Sequence, residues 1–380
     1  MKYLTIFSDF DDMHVNKDVG IITCSLARSM SLEPQVLSYN SSFQDDIVCD
    51  SGNIEHREIK KYVKQVSHRK LDINIIIYIL LNSRNISLLN LYHSTFATHI
   101  YTIIYKIINR TGKVYVKLDL DLEHAKKDNG ISGSGIRGWI KKTVFNYYRT
   151  VVDVVSVEAQ EAYDLLLNRN TYKESQFIRV PNGVSDKNLE AKYGIVNYKE
   201  KENIIITIAR IGTEQKNNEL MLKALERCDL KDWTFFFVGP IEVEFNNNIE
   251  RFYLRNPQLK SKVKFLGSKD RAEIVKLYKR AKVFTLSSNY EGFPLVFAEA
   301  AFYGCHIITT EVSGSADITE QGVLGDIVPT KNSDLLSQAI QNVVNEDVSK
   351  QHFDAIRHHA INNFTWEEII PKLTKKLVDG

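Results

Sequence analysis

The 380-residue sequence predicts an α/β protein built as two doubly wound parallel-sheet domains. Three observations carry this. The chain is too long for one core at roughly 150 residues per domain. Apolar, β-rich runs alternate with amphipathic helical patterns through both halves, as βα units do. The alternation breaks at a turn, Pro181-Asn182-Gly183, followed by a Lys- and Glu-rich stretch from Asp186 to Glu202.

The second half states the alternation more clearly. Strands are expected at Ile204–Ala209, Thr234–Val238, Val263–Leu266, Val283–Ser287 and His306–Thr309. Helices are expected at Asn218–Arg227, Ile249–Leu254, Arg271–Arg280, Pro294–Tyr303 and Ser333–Asn345. In the first half the expected strands are Lys2–Phe7, Gln35–Ser38, Ile86–Tyr92, Val114–Leu118, Val151–Val157 and Phe177–Val180. The expected helices there are Val19–Met30, Glu55–Val66, Thr95–Asn109, Gly138–Tyr148 and Gln160–Leu167. Ile73–Leu81 is apolar throughout, so its periodicity does not separate helix from strand. A closing helix is expected at Trp366–Val378, with Thr365 and Glu368 forming a capping box. The expected domains are residues 1–186 and 187–362, with a terminal helix at 363–380.

Composition excludes several classes. A hydrophobic fraction of 43% and a charged fraction of 25% describe an ordinary globular enzyme. The net charge of +2 provides no field for a nucleic-acid partner. Cys24, Cys49, Cys228 and Cys305 are scattered, which reads as buried free thiols in a reducing compartment. Met1–Phe7 reads as a strand and not a signal peptide. The most apolar run, Leu71–Leu81, is about half as long as a spanning helix. A cytoplasmic protein, soluble or peripheral on a membrane, is expected.

The segment with most chemical content is Glu291-Gly292-Phe293-Pro294-Leu295-Val296-Phe297-Ala298-Glu299, directly after a strand. Gly292 permits a tight turn, Pro294 suits the first helical position, and Gly304 suits a helix stop. The free N–H groups of Leu295 and Val296, with the helix dipole, make an anion cradle. Glu291 precedes the helix and Glu299 lies roughly 7.5 Å along it, leaning back. Carboxylates at both ends of a phosphate cradle suit a nucleotide sugar, which carries diols on both sides of its diphosphate. Arg210 and Lys216, in the loop after the first strand of this half, add a planar fork and a point charge for a diphosphate.

These residues resemble glycosyltransferase family 4, retaining enzymes of the GT-B fold that use nucleotide sugars. The likeness runs through Arg210 and Lys216, Val238-Gly239-Pro240, Phe265-Leu266-Gly267, Glu291 and Glu299, Val312-Ser313-Gly314-Ser315-Ala316-Asp317, Gly322 and Gly325-Asp326-Ile327-Val328-Pro329. It covers Ile204 to about Leu377, and departs at Asp317, where the family usually carries Glu. The resemblance implies two Rossmann-like domains, with a last helix returning to the first. It implies that Arg210 and Lys216 bind the donor diphosphate, that Glu291 contacts the donor sugar, and that Glu299 contacts the ribose. Gly239, Gly267, Gly292, Phe293, Leu295 and Val296 are expected around the donor. In the looser first domain it implies Gly20 near the phosphates and Asp119, in Lys117-Leu118-Asp119-Leu120-Asp121, at the transferred sugar.

Other patterns read differently. Asp119-Leu120-Asp121 is a D-x-D, but Arg210 and Lys216 supply the positive charge, so no metal is expected. Gly133-Ser134-Gly135-Ile136-Arg137-Gly138 fits G-x-G-x-x-G without the required preceding strand and reads as a loop. Arg137 to Arg149 is basic, aromatic and helical, either packed on the core or resting on an anionic membrane with a lipid-linked acceptor. The implied reaction moves a sugar from a UDP- or GDP-sugar to a saccharide or lipid-linked hydroxyl in bacterial surface polysaccharide or glycolipid assembly. It retains configuration and requires no cofactor. The rivals are a nucleotide-sugar epimerase of the same fold and a silent nucleotide-sugar-binding subunit.

Overall fold

The computed structural model describes residues 1–41, 43, 47–49, 51–64, 70–126 and 135–379. It divides into two compact units, Met1–Pro181 with Trp366–Gly380, and Asn182–Thr365.

The first unit carries an eight-stranded sheet among the described residues. Its strands are β1 (Lys2–Ile6), β2 (Glu33–Ser38), β3 (Ile47–Cys49), β4 (Gly52–Glu58), β5 (Ile86–Tyr92), β6 (Lys113–Lys117), β7 (Val154–Val157) and β8 (Phe177–Arg179). The order is β3-β4-β2-β1-β5-β6-β7-β8. All pairs are parallel except β3 with β4. The chain winds outward from β1 in one direction and then, from β5, in the other. Helices cover both faces. One cluster joins Ile79, Tyr101, Tyr105, Phe145 and Tyr148 to the strands. On the other face Trp366, Ile369, Ile370, Leu373 and Leu377 of the closing helix (Trp366–Asp379) pack with Ile22 and Leu26.

The second unit has six strands among the described residues, all parallel: β9 (Glu202–Ile208), β10 (Thr234–Val238), β11 (Val263–Phe265), β12 (Ala281–Leu286), β13 (His306–Thr310) and β14 (Gly325–Val328). Their order is β11-β10-β9-β12-β13-β14. Ile205, Ile206, Phe235, Phe237, Val283 and Phe284 are fully buried. Helix-covered parallel strands need apolar residues on both faces, hence their unbroken apolar runs.

Some expectations need correction. Glu55–Glu58 lies in β4, paired with β2, and not in a helix. The strand sits one place from the sheet edge, and its charges are held there: Glu55 accepts from Gln35 at 2.8 Å and His56 meets Ser38 at 2.9 Å. Residues 65 and 66 of that expected helix lie outside the described residues, as do Gly133 and Ser134 of the glycine motif. The ambiguous Ile73–Leu81 run is a helix, Ile73–Asn82. Asp72 caps it by accepting from Asn74 at 2.8 Å, and Ile75 and Ile79 bury one face. The Thr365 hydroxyl donates back to the Ile361 carbonyl at 2.8 Å, ending the Lys350–Asn363 helix that the sequence reading omitted.

Candidate donor site

In the second unit the winding reverses between β9 and β12, so the loops after these strands lie side by side. Carboxyl-end crevices at such reversals bind ligands in open α/β sheets. This places the two sequence-distant segments together. Lys216 Nζ is 2.5 Å from Glu291 Oε1, and both side chains are largely buried. Ser288 Oγ donates to the same oxygen at 2.5 Å, and Gln215 Nε2 donates to Oε2 at 3.2 Å.

The backbone is sewn together as well. Asn289 N donates to the Gln215 carbonyl at 2.8 Å and Asn289 Nδ2 to the Glu214 carbonyl at 2.7 Å. Ser287 Oγ reaches the carbonyls of Lys216 and Asn217 at 3.1 Å. Asn217, at φ +44°, makes the left-handed step that begins the next helix. Arg210 is exposed at the end of β9, with Nη2 3.5 Å from Gln215 Oε1.

The helix after Glu291 is Leu295–Phe302, with Pro294 (φ −66°, ψ 127°) as its cap and not its first residue. Phe297 N donates to the Pro294 carbonyl. The Leu295 and Val296 N–H groups therefore lie in the first turn, ahead of the helical ladder. The Phe293 side chain, expected at the donor, is buried against Phe364 and beneath Gly314. Its backbone carbonyl accepts from Asn182 at 2.8 Å. Gly292 does not adopt the left-handed conformation, unlike Gly212, Gly239, Gly267 and Gly314.

Glu299 is buried on the same helix. Arg271 pairs with its Oε1, and Tyr278 donates to Oε2 at 3.1 Å. Burial and the adjacent Glu299 carboxylate hold the Tyr278 hydroxyl well above its usual pKa, so it remains a donor. Arg271 and Ser288 were missed by sequence reasoning. The Asp270-x-x-Glu273 capping box, which places Arg271 first in its helix, was the available signal. Gly239, at φ +136°, has no room for a side chain, since a Cβ would stand 1.9 Å from the Ala209 carbonyl oxygen. Its N–H donates to the Gly267 carbonyl at 2.9 Å, tying the ends of β10 and β11 together beside Arg210.

The first unit has its own carboxyl-end crevice, at the β1/β5 reversal. A cavity of about 230 Å³ there is lined by Phe7, Ser8, Asp9, His14, His93 and Tyr92, among others. His93 takes φ +61°. Gly20 lies inside the Asp18–Ser29 helix, and its missing side chain has a cause within the unit: a Cβ would meet the Val15 carbonyl oxygen at 2.0 Å. Asp119 is exposed after β6, at φ +46°. Two residues before it, Lys117 is fully buried between Asp18 (2.8 Å) and Glu158 (2.7 Å). Burial alone would lower the Lys117 pKa, but these carboxylates outweigh it and hold it well above the usual value. Asp121 is engaged by His124 at 2.7 Å. Among the described residues no cluster of three or more His, Cys, Asp or Glu side chains is placed to hold a metal ion.

Residues 190–361 match the family model described as glycosyl transferases group 1. The phosphatidyl-myo-inositol mannosyltransferase of Mycobacterium leprae is 21% identical over 205 residues, 53% of either chain. A Campylobacter jejuni α-1,4-N-acetyl-D-galactosaminyltransferase acting on a diphosphoundecaprenol-linked saccharide is 29% identical over 153 residues, covering 39% of this chain and 40% of its own. The chain spans about half the length of the first curated relatives it matches. Among solved structures, Anabaena Alr3699/HepE with bound UDP superposes over 100% of both chains with a TM-score of 0.71 at 15% identity. The lipopolysaccharide outer core galactosyltransferase WaaB superposes equally well (TM-score 0.71, 16% identity, 100% of this chain and 99% of that one). The fold is GT-B, and the second unit carries the sequence signature of group 1 glycosyl transferases.

Proposed function

We propose that the chain is a retaining, metal-independent glycosyltransferase that takes its sugar from a nucleoside diphosphate. The observation that carries this reading is the meeting of Lys216 and Glu291 beside the amino end of the Leu295–Phe302 helix. That arrangement places a cation, a carboxylate and free N–H groups at one sheet reversal.

The contacts suggest how donor binding proceeds. Glu291 Oε1 already accepts two bonds and Oε2 one, so the carboxylate has little capacity left for a sugar. An arriving diphosphate draws Lys216 away, and the freed Oε1 then takes a sugar hydroxyl. Diphosphate and sugar recognition are thereby coupled. Arg210, Lys216 and the helix N–H groups stabilise charge growing on the leaving diphosphate. Glu299 keeps one further acceptor site on each oxygen for the ribose hydroxyls. Asp119 and the cavity at the β1/β5 reversal belong to the unit proposed to take the acceptor. The names of the relatives, which act on phosphatidylinositol or polyprenol-linked saccharides, support a saccharide or lipid-linked acceptor. The UDP bound in HepE supports a UDP-sugar donor over a GDP-sugar.

A panel of UDP- and GDP-sugars tests the reading, scored by nucleoside diphosphate release with and without saccharide acceptors in EDTA. Release with one donor, and an α-linked product from an α-linked donor, is expected. An absence of both binding and release across the panel sinks it. Activity abolished by EDTA removes metal independence.

A further inference from the structure

Gln215 stands between the carboxylate of the donor crevice and one of its cations, and the reaction proposed above gives it no task. Nε2 of its amide lies 3.2 Å from Glu291 Oε2 and 3.3 Å from the Tyr290 carbonyl, and Oε1 lies 3.5 Å from Arg210 Nη2. These neighbours fix which way the amide points, because a carboxylate and a carbonyl only accept and a guanidinium only donates. The same neighbours explain the residue type. A carboxylate here would repel Glu291, and a lysine or arginine would repel Arg210. A planar amide serves both sides and adds no charge.

The backbone beneath this side chain is held independently of it. The Gln215 carbonyl accepts from Asn289 N at 2.8 Å, and the Glu214 carbonyl accepts from Asn289 Nδ2 at 2.7 Å. On the other side, Lys216 N donates to Thr213 Oγ1 at 3.3 Å. The loop therefore keeps its anchors whatever side chain stands at 215, and the fold does not account for the amide.

We propose, on the donor reading given above, that Gln215 is a positioning residue for recognition of the donor sugar, acting through Glu291. When a diphosphate draws Lys216 away, Glu291 keeps Ser288 on Oε1 and Gln215 on Oε2. The bond to Oε2, braced at the Tyr290 carbonyl, then fixes the plane of the carboxylate. Oε1 is left as the oxygen that faces a sugar hydroxyl. Arg210 gives up only a long contact in turning to the diphosphate, so Gln215 restrains diphosphate binding little. The amide thus serves the sugar half of the donor and not the nucleotide half.

Gln215→Met tests this, since it keeps the length of the side chain and removes both polar ends. UDP is titrated calorimetrically without acceptor, beside whichever of UDP-glucose, UDP-galactose and their 2-acetamido counterparts the wild type turns over. Gln215→Met should bind the UDP-sugar ~10-fold more weakly than wild type and UDP within about twofold. In a Glu291→Ala background the same substitution should change neither affinity by more than about twofold, because the carboxylate it acts through is gone. Gln215→Glu should weaken both ligands, since its charge repels Glu291 and also holds Arg210. Urea midpoints of the Gln215 variants should match wild type. Unchanged UDP-sugar affinity in Gln215→Met overturns the proposal. So does an equal loss of UDP and UDP-sugar, or a loss that persists undiminished beside Glu291→Ala. Those three outcomes leave the donor reading standing. A wild type that binds neither UDP nor any of the four UDP-sugars ends the donor reading itself, and this role with it.

Discussion

Lys216 and Glu291 neutralise one another across two loops separated by 75 residues of sequence, with Nζ 2.5 Å from Oε1. The pair is a consequence of topology. β9 and β12 are neighbours in the sheet, and each loop leaves a carboxyl end at the reversal. Each residue therefore limits what the other can bind.

Opposite effects on affinity and turnover should follow from the two halves of this pair. Glu291→Gln keeps an acceptor for Ser288 but removes the charge that holds Lys216, leaving the lysine to a diphosphate. Turnover should fall by roughly 10²–10³ while UDP binds at least as tightly. Lys216→Met should lower both. Calorimetric UDP titration alongside the rate of UDP release checks this. A loss of UDP affinity in Glu291→Gln equal to that in Lys216→Met contradicts the pairing.

Glu299 depends on Arg271 in a different way. Removing the arginine leaves a buried carboxylate with only Tyr278 as donor. Arg271 is partly solvated, so Arg271→Ala should cost about 1–2 kcal/mol, less than a fully buried pair would. Glu299→Gln in the same background should recover part of that loss. Urea unfolding of the four proteins of this double-mutant cycle measures the coupling. Strict additivity would mean that the pair contributes nothing.

Two glycines separate steric from conformational demands. Gly239 combines φ +136° with a Cβ position 1.9 Å from a carbonyl oxygen, and Gly267 combines φ +66° with open space. Gly267→Ala should cost about 1 kcal/mol, the left-handed penalty alone. Gly239→Ala should cost several times more, because the backbone of Ala209 would have to move and Arg210 with it. Equal losses for the two in denaturant titrations would show that the close approach to Ala209 is relaxed at no cost.

Legibility in the sequence followed burial. β10 and the Arg271–Arg280 helix were readable to the residue, since parallel-sheet strands are apolar runs and amphipathic helices between them carry caps. β4 was misread because, one place from the edge, only Ile54 is fully buried and its charges imitate a helix surface. The span from Glu291 to Glu299 was legible as local structure, because a strand, a turn and a helix start are all local signals. Its partners were less so: Lys216 and Glu291 were read separately, one for phosphate and one for sugar, and their pairing with each other was not foreseen. Such a contact depends on strand order, which no window of sequence contains. Phe293 was assigned to the donor by its place in the motif, and its ring turned out to be core.

Acid should weaken the first unit through one histidine. His99 is buried in the Phe96–Ile108 helix, with its ring 4.3 Å from that of Tyr148 and Nε2 2.9 Å from Ser94 Oγ. Burial pushes its pKa down from 6.5 to about 3. The folded state therefore keeps His99 neutral across a range in which the unfolded chain takes up a proton. Between pH 6.5 and 3 the unfolded state binds more protons, so the contribution of this group is complete above pH 6.5 and is lost as the pH falls. The slope is at most about 1.4 kcal/mol per pH unit. His99→Gln removes the titrating group and retains a hydrogen-bonding side chain for Ser94. Its stability should be lower than wild type at pH 8 and should fall less steeply from pH 6.5 to 4.5. Urea midpoints at pH 8, 6.5, 5.5 and 4.5 compare the two proteins. Parallel curves would show that other groups govern acid unfolding and that the buried imidazole is protonated with the fold intact.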